Sequence, residues 1–189
     1  MSSPPSEIPI PIDTVPTPNP DAVMLKVQET LVPTGTYEYT PQSDTTGSPL
    51  AHALLALDGI ELVLIAPRFV TLRKATHQAW PDIVPAAKTA MRDFLRSGEM
   101  AVLDTNSRPT AGALSEIEKK IVTLLDEEIR PAIAQDGGDL TYMGFEDGVV
   151  KLQMIGACGT CPSSTMTLKM GIERLLMEEV PEVRAVEQI

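Results

Sequence analysis

From residue 99 to residue 113 the chain loses every sustained hydrophobic period, and Thr, Asn, Ser, Pro and Gly take its place. A break of that length inside 189 residues leaves room for two small units, each with a modest core of its own, and for a flexible connection between them. The expected fold class is α+β, two small mixed domains joined by a flexible linker. The boundaries read as an arm at 1–16, a first domain at 17–98, the linker at 99–113 and a second domain at 114–189. Seven of the seventeen prolines fall within the first twenty residues, so the arm reads as extended and disordered. With only seven aromatic residues, both cores must be built from Leu, Ile, Val and Met.

Within the first unit, AVMLKVQ reads as a strand, and residues 30–47 suit a short strand between loops. Ser48 can cap a helix with Pro49 at its first position, and Gly59 stops it. IELVLIAPRFVTLRKA reads as two strands around a turn at Pro67 and Arg68. Pro81 opens a helix on which Ile83, Ala87, Ala90, Met91, Phe94 and Leu95 repeat at helical spacing, and Gly98 ends it.

In the second unit Ser115 and Glu118 form a capping box. Pro131 should kink or end the helix that follows, and Asp136-Gly-Gly-Asp139 makes a turn. LTYMGF and VVKLQMI flank Asp147-Gly148, a hairpin signal. Pro162 opens a helix to about residue 179, and the C-terminal residues close the unit as a strand, giving the order α-β-β-(CxxC loop)-α-β.

Between that hairpin and that helix lies GACGTCPSS, which carries Cys158 and Cys161, the chain's only cysteines. A Cys-x-x-Cys pair lets two soft thiolates reach one metal centre, and a helix N-terminus favours the deprotonated sulfur. Gly156 and Gly159 read as room for backbone to approach inorganic sulfide. Packing of both as small hydrophobes suits this Gly-rich loop poorly, and three chemistries compete for the pair. A dithiol–disulfide oxidoreductase could use it, although the 28 residues after Cys161 supply only a helix and a strand, less sheet than a thioredoxin fold needs. A structural zinc needs more ligands, and His52 and His77 lie in the other unit without the paired spacing. An iron–sulfur cluster, usually held by four thiolates, could take two from each of two chains.

The stretches EEIRPAIAQDGGDL and GACGTCPSSTMTLKMGIERLL resemble the C-terminal module of NifU, the Nfu domain. TPNPDAVMLKV, SPLAHALLALDGIELVLIAPRFVTLRKA and WPDIVPAAKTAMRDFLRSG resemble the Nfu N-terminal domain, and the likeness is looser from residue 28 to residue 47. The resemblance implies an iron–sulfur scaffold or carrier and no enzymatic activity. It implies a [4Fe–4S] cluster bridged between two chains, although two thiolates per chain equally suit a bridged [2Fe–2S] centre. The family's ligands map onto Cys158 and Cys161. Its partners would be a second copy when loaded, the cluster-assembly machinery and apo iron–sulfur proteins.

The remaining features narrow the surroundings. A net charge of −11, spread along both halves, argues against nucleic acid. No apolar stretch reaches the roughly eighteen residues of a membrane span. The N-terminal residues lack secretory and transit-peptide features, which makes a cytoplasmic address the default expectation. On the helix after Cys161, Leu168, Ile172, Leu175 and Leu176 should face the sheet. Met166, Met170 and Met177 fall on the other side, as gap-fillers or as a pliable contact surface. Asp136 and Asp139 belong to a turn, and nothing assembles a catalytic nucleophile with its base.

Overall fold

The computed structural model describes residues 10–103, 114–160 and 162–189, with backbone only at 160 and 162–165. The first unit holds strands β1 (Asp13–Pro16), β2 (Ala22–Lys26), β3 (Tyr37–Tyr39), β4 (Ile60–Ile65) and β5 (Phe69–Lys74), with helices α1 (Pro49–Leu55) and α2 (Trp80–Ser97). Its sheet runs β1-β2-β5-β4-β3, antiparallel throughout. Ser48 caps α1 by accepting from the Ala51 N–H at 3.2 Å, and Gly98 ends α2 at φ 70°.

Two stretches differ from the sequence reading. Residues 10–16, read as part of a disordered arm, supply β1, with Ile12 only 5% exposed and Arg92 donating to the Ile10 carbonyl at 3.2 Å. Proline density suggested disorder, yet an edge strand tolerates proline because half its N–H groups need no partner. Residues 1–9 of that arm lie outside the described residues. In the stretch read as linker, Ala101 and Val102 are buried in the first core, and the Leu103 N–H donates to Gly47 O at 2.7 Å. Three residues are too few to show a period, so the pattern could not reveal them. Residues 104–113 lie outside the described residues.

The second unit comprises α3 (Glu116–Leu124), a π turn (Leu125–Ile129), α4 (Arg130–Gln135), β6 (Gly138–Glu146), β7 (Val149–Gly156), a 3₁₀ turn (Ala157–Thr160), α5 (Pro162–Glu179) and β8 (Ala185–Gln188). Pro131 does not end the helical run, but the regular α-helix is interrupted just before it. The π turn ahead of it widens the helix by one residue, which relieves the ring against the preceding turn. The capping box forms in both directions: Glu118 N–H donates to Ser115 Oγ and Ser115 N–H donates to Glu118 Oε2. Tyr142 donates to the same carboxylate at 3.0 Å and so ties α3 to β6. Asp147 and Gly148 adopt φ 50° and 82°, the mirror-image turn that a tight hairpin demands. β6 and β7 pair antiparallel, and β8 returns beside β7 in parallel after the α5 crossover.

Each unit has its own hydrophobic core. The sheets differ in how they are covered. In the second, β7 alternates, with Val150, Leu152 and Met154 turned inward. In the first, Val23, Leu25, Val63, Ile65, Val70 and Leu72 face the helices, while Met24, Leu62, Leu64 and Thr71, all 3% exposed or less, face the other way. That sheet is therefore buried on both faces, and the second unit lies on the outer one.

Candidate functional site

Cys158 sits on the 3₁₀ turn that joins β7 to α5. The turn is entered through Gly156 at φ 71°. A Cβ at Gly156 would lie 2.8 Å from both Gly137 O and Leu64 Cδ2, and one at Gly159 would lie 2.6 Å from Met154 O. Neighbouring chain occupies the space a Cβ would take at both positions, so both need glycine here. The Cys158 side chain points inward, is 2% exposed and packs in the second core. Its sulfur lies 2.7 Å from where a Cβ on Gly138 would be, so only glycine fits opposite it. Cys161 lies outside the described residues.

The first unit covers the approach to this turn. Register aligns Met24 on β2, Thr71 on β5, Leu64 on β4 and Glu38 on β3 in one row across the outer face of the sheet. Gly137 rests on Thr71 and Gly156 on Leu64. Glu38 Oε2 accepts the Gly156 N–H at 2.6 Å, and Asn19 Nδ2 donates to Ala157 O at 3.3 Å. Burial pushes the Glu38 carboxyl above the usual carboxylate range, against the opposing pull of the Gly156 N–H. The Thr71 hydroxyl is buried with no hydrogen-bond partner.

A second polar knot lies beside it. Asp139, read as a turn residue, is the second residue of β6 and is 6% exposed. It accepts from Arg130 Nη1 at 2.5 Å, from the Leu140 N–H at 2.7 Å and from the Thr36 hydroxyl of the first unit. A cleft of about 370 Å³, lined by Thr36, Phe69, Arg130, Pro131 and Asp139 among others, opens between the units there.

The sequence reading singled out the cysteines but neither Asn19 and Glu38, which bond Ala157 and Gly156, nor Thr71 against Gly137 and the Thr36–Asp139 pair beside them. A signal for that outer face was present: AVMLK and ELVLI run continuously apolar where a half-covered antiparallel strand would alternate. His52 and His77 are exposed, and neither joins a group of possible metal ligands among the described residues. On α5, Ile172 and Leu176 are buried as read, while Met166, Met170 and Met177 are 68%, 66% and 47% exposed, which rules out gap-filling in the core. Among the described residues no group of three His, Cys, Asp or Glu could hold a metal within one chain. No described helix is long and apolar enough to cross a membrane.

These elements define a two-domain α+β protein whose second domain carries a cysteine turn at the head of a helix. The domain described as "NifU-like domain" matches residues 121–187, and "Scaffold protein Nfu/NifU N terminal" matches residues 12–98. The chain belongs to the Nfu/NifU family. It is 40% identical over 184 residues to NifU-like protein 4, mitochondrial, of Arabidopsis thaliana, a match covering 94% of this chain and 65% of that protein. It is 37% identical over 183 residues to the NFU1 iron-sulfur cluster scaffold homolog, mitochondrial, of Homo sapiens, covering 94% and 71%. The chain thus spans about two thirds of the length of these curated relatives. The solution structure of a NifU-like protein from Saccharomyces cerevisiae superposes with a TM-score of 0.47 at 23% identity, over 54% of this chain and 92% of that one.

These relatives correct one expectation. They are named mitochondrial, so the cytoplasmic address does not stand. It had rested on the lack of leader features in the first residues, which carries no information about destination when a presequence can be removed.

Proposed function

We propose that this protein serves iron–sulfur cluster assembly as a scaffold or carrier rather than as an enzyme. Its cargo is a [4Fe–4S] cluster held between two chains and passed on to apo-proteins. One observation carries the reading: Cys158 and Cys161 are the chain's entire thiol complement, half of the four thiolates such a cluster usually takes. Two copies about a twofold axis complete the set, and a site shared between subunits can yield its cargo to a recipient with all four ligands in one fold. The names of the relatives, NFU1 iron-sulfur cluster scaffold homolog among them, support the assembly role. On this reading residues 114–189 carry the cargo and residues 17–98 meet partners. Those partners are the assembly machinery and apo iron–sulfur proteins.

The test is anaerobic reconstitution of the full chain with iron and sulfide, followed by metal analysis, Mössbauer spectroscopy and sedimentation. Expected is a cubane signal on a species of twice the chain's mass, lost in Cys158→Ala and in Cys161→Ala. A complete cluster on a single sedimenting chain, without added small thiols, would overturn the reading. A bridged [2Fe–2S] spectrum would revise the cargo. Insulin reduction at thioredoxin-like rates would turn the same pair into an oxidoreductase.

A further inference from the structure

We propose that the outer face of the first unit's sheet is a docking surface for the Cys158 turn of the same chain, and that a cluster shared with a second copy forms only after this contact opens. The inference rests on the cluster reading above for its consequence, but the contact is independent of it.

Three observations meet here. First, the contact is made on the turn itself. Glu38 holds the Gly156 N–H, Asn19 holds the Ala157 carbonyl, and Leu64 and Thr71 pack against Gly156 and Gly137. The two residues before Cys158 are thereby anchored to a domain that contains no cysteine. Second, in this arrangement Cys158 is inward and 2% exposed. A thiolate bridging to a cluster between two chains must stand at a surface that the partner can reach, and this one does not. The sulfur is covered by its own unit's core, opposite Gly138. The first unit fixes the Gly156 N–H and the Ala157 carbonyl and so holds the turn in this inward pose, which a shared cluster must give up.

Third, the surface is built to let go. A permanent face would be apolar throughout. This one buries Thr71 Oγ1 without a partner, and it half-buries the Glu38 carboxylate, whose charge that desolvation disfavours. Both groups regain water when the units part, which offsets part of the hydrogen bonding and apolar packing that separation gives up. The turn is held by a few polar contacts plus two glycine-to-side-chain contacts, a set small enough to exchange with a second copy.

The face can be tuned in both directions on the full chain. Asn19→Asp keeps the acceptor for the Asp21 N–H (3.0 Å) but replaces the donor to Ala157 O with a repelling carboxylate. Combined with Glu38→Ala it should open the contact. Thr71→Val replaces the unpartnered hydroxyl with a methyl of the same shape and should close it further. The readout is the rate at which iodoacetamide alkylates Cys158 in the apo protein, followed by peptide mass. The double variant is expected to react about tenfold faster than the parent and Thr71→Val several-fold slower.

Equal rates in all three proteins, or the reverse order, overturn the proposal. If the double variant does not fold by circular dichroism, Thr71→Val decides alone: slower alkylation supports the contact and an unchanged rate refutes it. Cluster loading measured on the same proteins separates the two readings. Alkylation in the expected order with no cluster on any variant upholds the docking and sinks the cargo. Cluster on every variant at one rate, with alkylation unchanged, leaves the cargo and sinks the docking.

Discussion

The two sheets of this molecule are both antiparallel at heart and both backed by helices, yet they are finished differently. The three-stranded sheet of the second unit alternates along β7, one face in the core and the other half-exposed. The five-stranded sheet of the first unit is covered twice, by α1 and α2 on one side and by the cysteine-bearing unit on the other. The helix side is uniformly apolar; the outer side mixes Met24 and Leu64 with Thr71 and Glu38. A face composed that way resembles an interface more than a core. The difference teaches that the unit without cysteines holds the backbone of the turn that carries Cys158.

Truncation should separate the two faces most sharply. Leu72→Ala, on the helix side and fully buried, is expected to cost about 2–5 kcal/mol in urea unfolding. Leu64→Ala, equally buried but against Gly156, should cost less, because parting of the units can relieve the cavity. Equal losses would break the comparison and make the outer face an ordinary core.

Gly156→Ala comes next. It must take a left-handed backbone and place its Cβ 2.8 Å from both Gly137 O and Leu64 Cδ2, and about 2 kcal/mol of stability should go. Cys158→Ala should remove the cluster outright. Its cost to stability should be about 1 kcal/mol, because this side chain fills the second core. A ligand on a mere surface loop would cost nothing, and thermal melts of the apo proteins distinguish the cases.

Much of this was legible in the sequence. The capping box at Ser115, the hairpin at Asp147-Gly148, the Pro67-Arg68 turn and the Gly98 stop are local signals, set by a few neighbouring residues, and each appears where it was read. What escaped is non-local. The pairing of β1 on the sheet edge needs β2 as a partner, and proline counting does not see that. The joining of Glu38 to Gly156 spans 118 positions, and no periodicity connects them. The cysteine pair was conspicuous by residue type, but the direction in which Cys158 points depends on Gly138, a neighbour only across the β6–β7 pair.

The smallest effects lie far from the contact and serve as its control. Ser115→Ala should cost about 1 kcal/mol by removing the α3 cap, with no change in Cys158 alkylation. The Ser115 backbone N–H, with its hydroxyl and Tyr142, holds Glu118 below the usual carboxylate range. Its stabilising effect is therefore present above the unfolded pKa and is lost as pH falls through the lowered folded value. Because Glu118 keeps part of its surface in water, that acid loss should be slight. In Ser115→Ala it should shrink further, which pH-dependent melts of the two proteins will read.

The inward pose of Cys158 has a bearing on upkeep. Peroxide and other oxidants attack thiolates they can reach, so an idle chain meets them only as often as its turn swings outward. The thiol is kept from them by the core of its own unit, and the neighbouring domain grips the turn that would have to move to expose it.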